Sequence, residues 1–335
     1  MRTNRWVGVI VLAATAACSS SPTSPSGAST SVTVSTPAAS SWTLAGQVVP
    51  THGPVLPGVA IDYASLSTQT DGNGRFTLTH QHASGASSMT LTHPGLLERR
   101  LWVRGGASRS DLAVDPIALA PPFDLTFYRK FVRNALDAPG SLRPVSRLAA
   151  APKFYIQTND DFGQAVDGDT LQSIRASIVL GVTQFTPYGV PLIEQGPEPR
   201  EAERGWIRVL IKQWTASFTA GGTCGQAFVG ADPGEIRLWL DRCRCPGEHS
   251  RIGQGLVVHE VGHALGFWHV DGRHVMQPIV ACGAVDVIAS PEERFHAAIA
   301  YRRPVGNQDP DHDPSHVFAS TADFAAPPVL LSCGG

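Results

Sequence analysis

The spacing of apolar positions changes character several times along this chain, and each change predicts a different kind of element. Residues 6–17 form an apolar run of about a dozen residues behind Arg2 and Arg5, too short to cross a bilayer as a mature helix. Residues 19–41 are almost entirely Ser, Thr, Pro, Ala and Gly. Such a stretch cannot bury a core and reads as a flexible, partly extended linker. From residue 42 to about 120 the period is two. Residues 43–49, 59–63 and 75–79 are strand-like, with Gly, Pro and Asn between them, and predict a small all-β sandwich.

Beyond Pro121-Pro122 the period lengthens. Apolar residues in 123–133 fall at helical spacing, with Phe127, Phe131 and Val132 on one side. Residues 153–158 read as a strand, 169–184 as a long helix with Leu171, Ile174, Ile178 and Val179 as its apolar stripe, and 206–211 as a buried strand. Glu235-Ile236-Arg237-Leu238-Trp239-Leu240 alternates, as either a strand edging a cleft or another core strand. Pro291, followed by Glu292 and Glu293, opens a helix that runs to Tyr301. The fold class predicted is multidomain: a small β-sandwich over 42–120, an α/β (α+β) domain over 121–320, and a tail over 321–335.

Charge and cysteine content narrow the function. The net charge is −2, with no basic cluster, which argues against nucleic acid as a partner. Six cysteines stand at Cys18, Cys224, Cys243, Cys245, Cys282 and Cys333. The last five cannot all pair internally, and disulfides among them suit an exported protein. Two stretches carry oxygens at spacings that suit Ca²⁺, Asp71 with Asn73 and the acidic run at 307–314. A hairpin turn and a solvated acidic loop are the favoured readings of these.

The stretch with chemistry in it is His259-Glu260-Val261-Gly262-His263-Ala264-Leu265-Gly266-Phe267-Trp268-His269, followed by Met276. On a helix, His259 and His263 lie four residues apart on one face, where both imidazoles can reach one metal ion. Glu260 sits beside that face. Gly266 permits a sharp exit from the helix that brings His269 round as a third ligand. Three protein ligands leave a fourth tetrahedral position open, which marks a catalytic zinc rather than a structural one.

These residues resemble the metzincin metallopeptidases, whose zinc motif is HExxHxxGxxH with a methionine turn beneath the metal; Val275-Met276-Gln277-Pro278 looks like that turn. Val270 departs from the residue that subfamilies carry after the third histidine, so the subfamily stays open between matrixin-like and astacin-like. The resemblance implies a mixed twisted sheet, a zinc helix and one catalytic Zn²⁺ held by His259, His263 and His269. It also implies a protein or peptide substrate and Glu260 as general base toward a zinc-activated water. Gln277 stands where astacins place an oxyanion-supporting tyrosine, so no such helper is assigned.

The order Gly46, Pro57-Gly58-Val59-Ala60-Ile61 and Thr70-Asp71-Gly72-Asn73-Gly74-Arg75-Phe76 is similar to the carboxypeptidase regulatory-like domain, here a binding or spacer module. Ala16-Ala17-Cys18 resembles a bacterial lipoprotein signal over 1–18. That implies lipidation at Cys18 and a cell-envelope location, membrane contact being limited to the anchor. Two other readings remain beside the peptidase: a surface adhesion protein with a vestigial or structural zinc site, and a hydrolase of peptidoglycan cross-bridges.

Overall fold

The computed structural model describes residues 41–81, 85–213, 224–242, 250–278 and 287–319. The segment carrying Cys18, most of the predicted linker, the tail, and Cys243, Cys245, Cys282 and Cys333 lie outside them.

Seven strands make the first half: β1 (Trp42–Val48), β2 (Ala60–Tyr63), β3 (Leu66–Gln69), β4 (Arg75–His80), β5 (Ala86–Thr92), β6 (Arg99–Arg104) and β7 (Arg109–Val114). They form two sheets, ordered β4-β1-β7 and β3-β2-β5-β6. Alternation sorts the side chains as predicted. Phe76 and Leu78 of β4 point inward while Arg75, Thr77 and Thr79 stay exposed, and the inward residues of both sheets share one core with Leu44, Tyr63, Met89 and Val103. The Asp71–Gly74 turn differs from the expectation. It joins β3 of one sheet to β4 of the other, so it is not a hairpin between paired strands. Asp71 Oδ1 accepts the backbone N–H groups of Asn73 and Arg75, both at 2.8 Å, and Gly74 takes φ +73°.

The second half is built from α1 (Leu125–Arg133), β8 (Lys153–Asp160), α2 (Gly168–Phe185), β9 (Leu192–Gly196), β10 (Trp206–Gln213), β11 (Gly225–Ala227), β12 (Gly234–Leu240), α3 (Gln254–Ala264) and α4 (Pro291–Tyr301). One five-stranded sheet runs β11-β12-β10-β8-β9. Its strands are parallel except β11, which is antiparallel to β12. The sheet is therefore mixed, and α2 and α3 pack together in the core it shares.

Each of α1, α2 and α4 has a local reason to begin where it does. Asp124 caps α1 by accepting from Thr126 and Phe127, Asp167 caps α2 through Thr170, and Ser290 with Glu293 forms a capping box on α4. Among the described residues no helix is long and apolar enough to cross a membrane.

Of the two readings open for 235–240, a strand edging the cleft and another core strand, the second holds: β12 lies between β10 and β11, and the shorter β11 stands outside it. One further expectation needs correcting. The acidic run at 307–314 is not a solvated loop: Asn307 and Asp311 are fully buried, with Arg133 donating to Asn307 O and Arg303 to Asp311 Oδ1. The β-sandwich, read as a binding or spacer module, lies with the second half in one compact unit, Ala39–Gly335.

The junction between the halves accounts for both. Arg303 donates to Asp115 Oδ2 at 3.0 Å and to Asp311 Oδ1 at 2.7 Å; Arg99 on β6 holds Asp313 with two bonds of 2.7 Å. Asn307 joins Asp311 and Asp313 from the same side, and Arg133 of α1 donates to Asn307 Oδ1 at 2.6 Å. Burial pushes the Asp311 carboxyl up, but Arg303 and Arg99 more than reverse this and hold it below the usual carboxylate range. Backbone pairing follows the charges, with Arg100 N–H donating to Asp311 O at 3.0 Å and Ala319 N–H to Trp102 O at 2.9 Å.

Candidate metal centre

Helix α3 carries His259 and His263 on one face, and the bonds at its end form a two-bond helix stop. Gly266 N–H donates to His263 O at 2.8 Å and Phe267 N–H to Gly262 O at 3.0 Å, with Gly266 at φ +110°. A Cβ at Gly266 would collide with the backbone oxygen of Ser146, so only glycine turns the chain here. Past that turn the chain doubles back and presents His269.

Three histidines then converge. Their ligand nitrogens lie within 4.8 Å of one another, and His263 Nε2 is 3.2 Å from His269 Nε2. Each Nδ1 is occupied elsewhere: His259 at Val275 O, 2.8 Å; His263 at Phe267 O, 2.8 Å; His269 at Asp137 Oδ2, 3.1 Å. A carbonyl or carboxylate oxygen can only accept, so each Nδ1 carries the proton and each Nε2 keeps its lone pair free. Burial lowers His259 to about 4, and burial with the neighbouring histidines lowers His263 well below the ordinary value, so both rings are neutral near pH 7.

Glu260 lies beside them, 4 % exposed. Burial raises its carboxyl to about 8, and among the described residues no donor reaches Oε2. Its room is made by Gly225 of β11, where a Cβ would lie 2.5 Å from Glu260 Oε1. Three histidine nitrogens within 4.8 Å of one another, beside an unpartnered buried carboxyl oxygen, could hold a metal ion.

Met276 is fully buried against helix α3. Its sulfur sits so close to Gly262 that a Cβ there would strike it. Val270 N–H donates to Met276 O at 2.9 Å, and Met276 N–H donates to Glu293 Oε1 at 2.9 Å. The other Glu293 oxygen accepts from Ser290 N–H, so the cap of α4 also holds the turn whose Val275 carbonyl orients His259. On the opposite side, α1 braces the third histidine's loop. Trp268 N–H donates to Phe131 O at 2.7 Å, and Phe131 stacks on Phe267 with ring centres 4.4 Å apart.

The histidines, Glu260, Gly266 and Met276 were readable from their spacing. Asp137, Gly225 and Glu293 were not. Glu293 was visible as a first-turn acid of α4, but its bond to Met276 has no sequence signal, and Asp137 sits in a turn with no motif around it. Cys224, next to Gly225, is disulfide-bonded to a cysteine outside the described residues.

No protein-family model matches the chain, and no curated protein matches it. Solved structures with a partial likeness include two type II cohesin-X-dockerin complexes from Acetivibrio cellulolyticus, an N-terminal and a C-terminal interface mutant. Each is 21% identical, with 23% of this chain covered, at TM-scores of 0.20 and 0.18. The chain spans 55% of the length of those chains, and likeness at that score says nothing of fold or partners.

Proposed function

We propose that this protein is an exported zinc-dependent endopeptidase of the metzincin kind. One observation carries the reading: three histidine Nε2 lone pairs converge beside a buried Glu260 carboxyl that has an unpartnered oxygen. The parallel sheet with one antiparallel edge strand, the glycine stop at Gly266 and the Met276 turn against α3 support it.

His259, His263 and His269 would hold the ion. A zinc ion held by three neutral histidines supplies Lewis-acid activation of water and of a carbonyl. Glu260 takes the proton of the attacking water and passes it to the leaving amine nitrogen. Burial raises the Glu260 carboxyl and a bound cation would draw it back down, which suits a group that must first accept a proton and then release it. Among the described residues nothing pairs with the outer edge of β11, and Gly225 on that strand abuts Glu260. An extended peptide laid along this edge would run past the carboxylate, so the substrate-pairing role belongs to β11 and not to β12.

The experiment is digestion of a mixed peptide library by the protein beside its Glu260→Ala twin, with zinc measured in both. The twin should keep its zinc and lose activity by about 10²–10⁴-fold, some 3–5 kcal/mol of barrier. Zinc in both with cleavage by neither would defeat the peptidase reading and turn attention to peptidoglycan cross-bridges or to a binding role.

A further inference from the structure

We infer that Asp137 is a positioning residue for the third histidine and that the metal affinity of the centre depends on it; the inference rests on the metal-binding reading above. His259 and His263 are buried, 3 % and 8 % exposed, and each is oriented by a carbonyl of its own neighbourhood. His269 differs on both counts. It lies beyond the end of α3 with its side chain 26 % exposed, and Asp137 comes from a segment 132 residues earlier. The ring meets the His259 and His263 rings on one side, and on the other the Asp137 carboxylate at Nδ1 turns Nε2 toward them.

Asp137 is itself placed by a tight turn after α1. Asn134 stops that helix at φ 62°, Ala135 N–H donates to Arg129 O at 3.0 Å, and Ala138 N–H donates to Asn134 O at 2.9 Å. The same helix offers Phe131 O to Trp268 N–H. Segment 125–138 thus grips the His269 loop at both backbone and side chain. A carboxylate behind a ligating imidazole settles its orientation and raises its basicity, which a neutral carbonyl does less well.

The plain alternative is an exposed ion pair that contributes nothing measurable. Zinc affinity, read by competition with a chromophoric chelator, separates the two. The unmodified chain, Asp137→Ala and Asp137→Asn should be compared at neutral pH, with the absorption spectrum of each cobalt-loaded form. Asp137→Ala should bind about 10–100-fold more weakly, with Asp137→Asn between, since the amide keeps an acceptor and loses the charge. The cobalt spectrum should shift, and the melting temperature of the metal-free forms should stay put. A parent that holds zinc and an Asp137→Ala chain that holds it equally tightly overturn the inference alone. A metal-free melting temperature that falls with the affinity would assign Asp137 to the fold instead. A parent that holds no zinc overturns the metal reading as well.

Discussion

The histidine centre and the arginine–aspartate junction are both polar and both buried, and they are built on opposite terms. At the junction each buried charge faces its opposite: Arg303 stands between Asp115 and Asp311, and Arg99 between Asp311 and Asp313. At the histidine centre the buried groups have no such partner. Two buried imidazoles are driven neutral, and Glu260 is driven toward its protonated form. The first arrangement balances its charges and joins two halves, although Asp311 Oδ2 and Arg99 Nε have no hydrogen-bond partner among the described residues. The second leaves its buried groups without an opposite charge, and a buried site of that kind is one that function explains better than stability does.

The largest effect should come from breaking the balanced one. Arg303→Met keeps most of the length of the side chain and removes the cation, leaving buried Asp115 with Arg302 and buried Asp311 with Arg99, each at 3.4 Å. The loss should be about 3–5 kcal/mol in a denaturant titration, the usual cost of removing one side of a buried pair. Since Arg303 touches both halves, the transition should also show whether the β-sandwich unfolds with the rest. A loss below about 1 kcal/mol would mean that water reaches these carboxylates, and the contrast with the histidine centre would fail.

Removing the uncompensated charge should do the reverse. Between the ordinary carboxylate pKa and about 8, folded Glu260 holds a proton that the unfolded chain has lost, so its contribution falls as pH rises through that window. Glu260→Gln removes this burden. In the metal-free protein it should gain about 2–4 kcal/mol at pH about 9 and nothing at pH about 4, because each tenfold change in proton affinity is worth roughly 1.4 kcal/mol. The histidines titrate alike in both proteins, so the difference isolates Glu260. Zinc should erase the gain, because a nearby cation brings the carboxyl back down. Equal stability of the two proteins at high pH without metal would show that Glu260 is solvated.

The same contrast sets what could be read in the sequence. Helix spacing places His259 and His263, a glycine stop places His269, and Pro291 followed by Glu292 and Glu293 marks the start of α4. All of these are local, and local geometry is legible. The junction is not local: Arg303 and Asp115 are 188 residues apart, Arg133 and Asn307 174. Charged residues are mostly exposed, so the acidic run at 307–314 looked solvated, and only the fold shows the guanidinium groups it meets. Strand β11 was missed for a different reason. Gly225-Gln226-Ala227 has neither β-branched residues nor alternation, and it is a strand because β12 offers it a partner. Without β11 in view, the choice between edge and core for β12 stayed open in the sequence.

The smallest effect sharpens the comparison from the surface. Lys130 on α1 holds Asp271 at 2.8 Å, two residues beyond His269, and Asp271 is well exposed. The hydrogen bond from Lys130 leads the causes that lower the Asp271 carboxyl, yet solvent screens a pair in this position. Lys130→Ala should therefore change stability by less than about 1 kcal/mol in a thermal melt. It should also leave zinc affinity unchanged, although it cuts a tie between the same helix and the same loop that Phe131 and Asp137 hold. If Lys130→Ala weakens zinc binding as much as Asp137→Ala does, the loop's general rigidity sets the affinity. Orientation of the His269 ring would then not be the cause.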